Sequence, residues 1–413
     1  MTLKNQLTHL HTPLGIRPLE DSVAYCNRCG MCASACPTYQ TTRLEAFSPR
    51  GRNQALRMLL EGKLHPRHQL WELEPLVRSC LLCGKCTQNC PGQIPTAEHV
   101  LELGRRLKIA LLPNLLQRFL KLRAARPVLF YYAVRSACVL HQAGLLRWGT
   151  VLPGLGFLKE IDHWFPHAWQ PPFRPDSCEQ PTLFYLPSLE ATYLCPDIAR
   201  QVYALASKKN RVRVWQHQPS GLFEYVYGDI RLSRKQVRHL ITLHEQEGNQ
   251  LPVLTDSIDV YHFLKNAPQL FEGFQHWEEK SAQFARQVRF ITDIFPAKIL
   301  SKSRFTGPVT LMPTALFDTG SAPLLQAEEI LHTLFKKNFV KFGYRDAAVA
   351  PAGYGLYRNM ANQANSLQAV RNLAKHRIQT VFVPSVFARQ MLQAQLSRFY
   401  PSARVCHLVE LNG

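Results

Sequence analysis

Apolar residues fall into two rhythms along this 413-residue chain. In SPRGRNQALRMLLEGKL, which starts at Ser48, the positions Ala55, Leu56, Leu59 and Leu60 recur at helical spacing. A turn at Ser48–Pro49–Arg50–Gly51 is predicted to precede that helix. Thr96 stands ahead of AEHVLELGRRLKIALL as the predicted cap of another helix. From residue 182 onward the pattern shifts to short apolar runs alternating with helical stretches. TLFYLPSLEATYLCPDIARQVYALASKK at 182–209 reads as strand, loop and helix, and VTLMPTALFDTGSAPLLQAEEILHTLFKK at 309–337 repeats that order. In both, a strand stops at a proline (Pro187, Pro313), and a later proline (Pro196, Pro323) opens a helix. Further strands are predicted at 211–215 and 252–256 in the first stretch, and at 347–350 and 380–384 in the second. Strands alternating with helices predict parallel sheets. Gly353 and Gly355 in APAGYGLY predict a tight turn.

Charge changes this picture in one region. The formal net charge is +20, and the stretch from Leu101 to Glu160 carries ten Lys or Arg against two acids, Glu102 and Glu160. Large apolar residues are interleaved with those charges: Leu115, Leu116, Phe119 and Leu120, then Val128 to Val134, then Leu145, Leu146 and Trp148. Such a segment reads as a face for an anionic membrane or an acidic partner. It reads equally as a solvated basic face on packed helices; nucleic acid is a weaker third reading. HAWQPPFRPDS at 167–177 reads as a linker. The first fifteen residues lack the basic start, apolar core and cleavage site of a signal peptide. No run reaches the roughly 18 apolar residues of a spanning helix, so an intracellular protein that does not cross a membrane is expected.

Chemistry enters through cysteine. CNRCGMCASACP places Cys26, Cys29, Cys32 and Cys36 before Pro37, and CLLCGKCTQNCP places Cys80, Cys83, Cys86 and Cys90 before Pro91. Both read C-x2-C-x2-C-x3-C-P, the spacing of a ferredoxin-type [4Fe–4S] loop. Zinc sites pair two C-x2-C knuckles and use neither the third cysteine at this spacing nor the trailing proline. In two-cluster ferredoxins the fourth thiolate of each cluster comes from the other motif. By that rule one cluster is held by Cys26, Cys29, Cys32 and Cys90, and a second by Cys80, Cys83, Cys86 and Cys36. The other four cysteines (Cys138, Cys178, Cys195 and Cys406) show no pairing logic, and this usage suits a reducing compartment. Arg28, Arg43, Arg50, Arg52, Arg78 and Lys85 lie near the motifs; positive charge there favours an added electron, unless those side chains are solvated. No flavin, nicotinamide, nucleophile-elbow or zinc-protease motif is visible, so no catalytic residue is assigned.

The motifs CNRCGMCASACPTYQ, SPRGR and CLLCGKCTQNCP, with the terminal CHLVELNG, resemble the iron–sulfur subunits of glycolate oxidase. The electron-transfer subunits of anaerobic glycerol-3-phosphate dehydrogenase and of lactate-utilisation complexes are similar in pattern. The resemblance implies an α+β multidomain fold: a helical dicluster ferredoxin-like domain followed by two α/β cysteine-rich-type units. The implied divisions are 1–110 for the dicluster domain, 111–178 for the basic segment and linker, and 179–300 and 301–413 for the two units. It also implies further cluster ligands in those units, and here the sequence departs. Those positions fall at Leu189, Pro219–Ser220–Gly221 and Ser257–Val260 in the first unit. In the second they fall at Thr314, Ala348–Val349–Ala350 and Ser385–Ala388. None is cysteine, so the units are degenerate and only the two N-terminal clusters are expected. The implied function is electron relay from a flavoprotein 2-hydroxy-acid dehydrogenase towards quinone. The implied location is the cytoplasm, with peripheral contact to the inner membrane's cytoplasmic face as one option, and no nucleic-acid partner is expected. The alternative is a non-catalytic assembly partner whose clusters stabilise its N-terminal domain.

Overall fold

The computed structural model describes residues 5–12, 15–109, 126–144, 173–175, 178–248, 250–295, 305–312, 322–342 and 369–412. It begins with an antiparallel hairpin, β1 (His9–Thr12) and β2 (Gly15–Pro18), which leads into α1 (Leu19–Ala24). The helices α2 (Pro37–Thr42), α3 (Pro49–Leu60), α4 (Pro66–Arg78), α5 (Lys85–Gln88) and α6 (Thr96–Arg106) follow.

Two local expectations are corrected. The turn at 48–51 is instead the first turn of α3. Ser48 caps the helix by accepting from Gly51 N at 2.9 Å, and Pro49 occupies the first helical position, where no amide donor is needed. Only glycine fits at 51, because a Cβ there would lie 2.3 Å from the Glu45 carbonyl oxygen. Thr96 is not the cap of α6 but its first residue, and Pro95 takes the cap position. The Thr96 hydroxyl accepts instead from Asn53 Nδ2 at 3.2 Å, pinning α6 to α3.

After α7 (Pro127–Gln142) the chain builds a four-stranded sheet. Its strands are β3 (Leu183–Leu186), β4 (Val212–Val214), β5 (Val253–Thr255) and β6 (Val288–Phe290), in the order β4-β3-β5-β6. All three pairings are parallel, with Phe184 opposite Val253 and Val253 opposite Val288. β3 and β5 are buried along their whole length, as expected of strands covered on both faces. Helices cover the sheet, among them α8 (Leu189–Tyr193), α9 (Pro196–Ala206), α10 (Leu222–Val226), α11 (Ile230–Gln246), α12 (Ile258–Lys265) and α13 (Gln275–Gln287). Pro196 opens α9, where its missing amide costs nothing. A second parallel sheet, β7 (Val309–Leu311), β8 (Thr380–Val383) and β9 (Arg404–His407), carries α14 (Ala322–Phe335) and α15 (Val386–Phe399). The strand expected at 347–350, the turn at Gly353–Gly355 and most of the linker at 167–177 lie outside the described residues. So does much of the basic segment.

One continuous apolar core runs from Leu7 in the N-terminal part through the first sheet to Leu411. A smaller cluster around Val381 and Leu392 belongs to the second sheet. The seam between the helical part and the first sheet is α6, which is buried from Thr96 to Arg105. Arg105 pairs with Glu102, donates to the Tyr225 carbonyl at 2.6 Å and lies 4.5 Å over the Tyr225 ring. The Tyr225 hydroxyl donates to Glu98, whose carboxyl burial pushes up to about 7. Asn5 Nδ2 reaches the Gly228 carbonyl at 2.7 Å, and His11 N reaches Gln269 Oε1 at 3.0 Å. Buried charge and apolar packing thus bind the helical part to the first sheet.

Candidate metal centre

The two cysteine motifs fold as a structural repeat. In each loop the residue before the second cysteine and the glycine after it take left-handed backbone conformations: Arg28 (φ 56°) and Gly30 (φ 82°), then Leu82 (φ 53°) and Gly84 (φ 68°). Successive turns of this hand direct backbone N–H groups inward, a concavity suited to negative charge. A helical turn lies within each motif, Ala33–Ala35 between the third and fourth cysteines of the first and α5 around Cys86 in the second. The trailing proline has a local effect. Cys36 precedes Pro37 and is extended (φ −83°, ψ 116°), because the proline ring disfavours helical geometry in the residue before it. The chain therefore turns away from its own loop at the fourth cysteine.

The thiols fall into two groups. Cys26, Cys29, Cys32 and Cys90 line one cavity of about 200 Å³, which Cys86 also lines. Cys36, Cys80, Cys83 and Cys86 line a second, narrower one of about 20 Å³. Each loop thus supplies its first three cysteines to one cavity and its fourth to the other. The electrostatics agree. Burial pushes the Cys32 thiol up to about 11, with Cys26 and Cys90 adding to it. Cys83 is pushed by burial to about 11, Lys85 pulling the other way and Cys36 and Cys80 adding. Cys86 is raised by burial, then by Cys83, Cys36, Cys80 and Cys32, so it faces both groups. A bound metal centre would have to displace these protons, which couples binding to pH.

The two sites differ in depth. Cys29 is exposed and Cys26, Cys32 and Cys90 are half-buried, whereas Cys36, Cys80 and Cys83 are buried and Cys86 is half-buried. Cross-braces hold the loops together: Asn89 Nδ2 donates to the Met31 carbonyl, and Thr38 Oγ1 to the Ser79 carbonyl at 2.8 Å. Behind them, His99 Nδ1 donates to Asn53 Oδ1 at 2.9 Å and its Nε2 accepts from Ser22 Oγ at 2.8 Å. Burial holds His99 neutral by lowering its pKa to about 3. The donor set fits an iron–sulfur cluster: soft sulfur lines both cavities, neither has a carboxylate or imidazole, and Arg50 and Arg52 supply positive charge. Among the described residues no three His, Cys, Asp or Glu side chains converge as one ion requires. A cubane holds its thiolates further apart, around a core of several atoms.

The basic residues near the motifs divide into two classes that sequence spacing could not separate. Arg28 and Arg43 are exposed, while Arg50 pairs with Glu45 at 2.6 Å and Arg78 with Glu74, all partly in solvent. Arg52 and Lys85 are only 2% and 5% exposed. The SPRGR motif marked Arg52 without distinguishing it from Arg50; His99 had no sequence signal.

Near the described positions where the resemblance implies further ligands, buried polar contacts are found. Leu189 begins α8, Gly221 caps α10, and Ser257 and Ser385 precede α12 and α15. Asp256 accepts from the Tyr185 hydroxyl at 2.6 Å and from Ser188 N at 3.0 Å, and its carbonyl accepts from His407 Nε2 at 2.9 Å. Cys195, whose thiol burial pushes to about 12, accepts from Gln390. Thr314 and Ala348–Ala350 lie outside the described residues.

A family model described as a 4Fe-4S dicluster domain matches residues 22–94. A glycolate oxidase iron–sulfur subunit of Escherichia coli (strain K12) is 32% identical over 120 residues, 28% of each protein. A probable glycolate oxidase iron–sulfur subunit of Bacillus subtilis (strain 168) is 30% identical over 95 residues, 23% of this chain and 21% of that one. The chain therefore spans under a third of the length of the curated relatives it matches. No solved structure matches the chain.

Proposed function

We propose that this chain, which carries a 4Fe-4S dicluster domain and is related there to glycolate oxidase iron–sulfur subunits, relays electrons for a flavoprotein partner. The partner would oxidise a 2-hydroxy acid of the glycolate type, with electrons passed on towards quinone. The observation that carries this reading is the crossed sorting of eight thiols into two adjacent cavities, with Cys86 facing both. Bound there, two [4Fe–4S] clusters would supply one-electron transfer. Cys26, Cys29, Cys32 and Cys90 would hold the outer one, and Cys80, Cys83, Cys86 and Cys36 the inner. The chain's own part is to hold the two close, to exclude water from the inner one, and to leave the outer one at the surface for exchange. With no flavin or nicotinamide motif in the sequence, hydride chemistry falls to the partner.

In this reading residues 1–110 carry the electrons, and the units at 179–300 and 301–413 seat the flavoprotein. Within the segment 111–178, Val128, Leu129, Tyr132, Val139 and Leu140 are exposed on α7, a 16-residue helix. Among the described residues no helix is long and apolar enough to cross a membrane. An exposed apolar face beside basic residues suits peripheral contact with an anionic leaflet. Co-sedimentation with phosphatidylglycerol vesicles but not phosphatidylcholine vesicles is expected, and equal recovery with both removes the membrane contact.

The decisive experiment is anaerobic purification of the native complex. About eight irons with matching sulfide per chain are expected for two cubanes. Glycolate added to the complex should reduce them reversibly, while the chain alone should oxidise no hydroxy acid. Clusters that are present but never reduced by any substrate of the complex would favour the assembly role. Zinc without sulfide would end the relay reading.

A further inference from the structure

Arg52 is a large side chain buried at the inner thiol group. Its Nε donates to the Leu76 carbonyl at 2.9 Å, one terminal nitrogen to Ser79 Oγ at 2.8 Å, and the other to Cys36 Sγ at 3.7 Å. Burial opposes its charge, but Cys80, Cys36 and Cys86 outweigh that and hold its pKa above the ordinary value. Among the described residues Arg52 forms no salt bridge with a carboxylate. The outer group has the opposite arrangement. Arg50, which lines the outer cavity and donates to the Arg28 carbonyl at 3.0 Å, is partly exposed and already paired with Glu45. Its charge is therefore offset and screened by solvent.

On the reading that both cubanes are bound, we propose that Arg52 is a positioning residue that tunes the inner cluster. Its fixed positive charge and its hydrogen bond to the Cys36 sulfur raise that cluster's reduction potential above that of the outer one. Hydrogen bonds to ligand sulfur and nearby charge are the levers by which a protein sets such potentials. With both clusters bound, Arg52 would favour an electron on the inner one, so that a single electron passed from the outer cluster would reduce the inner as it oxidised the outer. No proton moves with it, since arginine keeps its proton throughout the accessible pH range. Lys85, also buried and placed in the chain between Cys83 and Cys86, adds in the same direction. The outer cluster is then the exchange port and the inner one the place where the electron rests.

The test is a redox titration of the full-length chain followed by electron paramagnetic resonance, with iron and sulfide counted in each sample. Signals are assigned with the Cys36→Ala and Cys90→Ala proteins. In Arg52→Gln, the ratio of reduced to oxidised inner cluster at a fixed ambient potential should fall at least tenfold, about 59 mV for one electron. The outer cluster should not move. Arg52→Lys should recover most of the shift, and Arg50→Gln should leave the inner cluster where it was. An unchanged inner midpoint with iron retained overturns the proposal. So does loss of the inner cluster from both Arg52→Gln and Arg52→Met, which would make Arg52 an assembly residue. Wild-type protein with bound zinc, or with far fewer than eight irons, fails the cluster reading itself before any variant is compared.

Discussion

Cys36→Ala is expected to remove the inner cluster, the one wrapped by the second loop, although Cys36 belongs to the first motif. Cys90→Ala is expected to remove the outer one. The reason is geometric: Cys36 shares its cavity with Cys80, Cys83 and Cys86, and Cys90 shares its cavity with Cys26, Cys29 and Cys32. Each variant should lose about four of about eight irons, and the signal of one cluster should survive. Both changes should also loosen the helical part, because each fourth thiol ties one loop to the other and cluster binding is coupled to folding. Iron and sulfide counts with low-temperature spectra of the anaerobic proteins read the outcome. Loss confined in each case to the cluster of the mutated motif would refute the crossed arrangement.

Arg105→Met should be among the most destabilising single changes outside the cysteines. It leaves Glu102 buried without its main partner and strips Tyr225 of the donor to its carbonyl. Breaking a buried pair from one side costs about 3–5 kcal/mol. The pH dependence has a definite sign. Glu98 has a folded pKa of about 7 against an ordinary 4.5, raised by burial, with Arg105 pulling it back. Between those values the folded chain binds more protons than the unfolded one, so Glu98's contribution is lost as pH rises through about 7. Without Arg105 the ionised carboxylate is costlier still, so the variant should lose more stability at pH 8 than at pH 5.5. Urea unfolding of the anaerobic wild-type and variant proteins at the two pH values measures this. A loss that is the same at both would detach Glu98 from Arg105.

The cluster motifs, the strand–proline–helix order around Pro187 and Pro196 and the parallel sheets were legible in the sequence, because each rests on a local constraint. Three cysteines three apart must wrap one body, and a proline at the first helical position lacks only an amide the helix would leave unused. Short apolar runs between helices have few ways to be buried except as covered parallel strands. What was misread locally was misread for a tertiary reason. Thr96 could have capped α6, but its hydroxyl is taken by Asn53, 43 residues earlier. Gly51 suggested a turn, but it is a glycine because the Glu45 carbonyl leaves no room for a Cβ.

By itself the sequence determined that eight cysteines stand in two repeated loops, each with a proline directly after its fourth cysteine. It also determined that the positions downstream where the resemblance implies ligands carry no thiol. Only the tertiary structure decided which thiols face one another, how deep each group lies, and which nearby cations act in a dry environment. Arg50 and Arg52 are two residues apart in one motif, yet one is paired in solvent and the other buried against Cys36. Successive residues of a helix point about 100° apart, so two positions along α3 separate surface from core. Charge is a property of the residue type, but its effect on a redox centre is set by burial and counter-charge, and these belong to the fold.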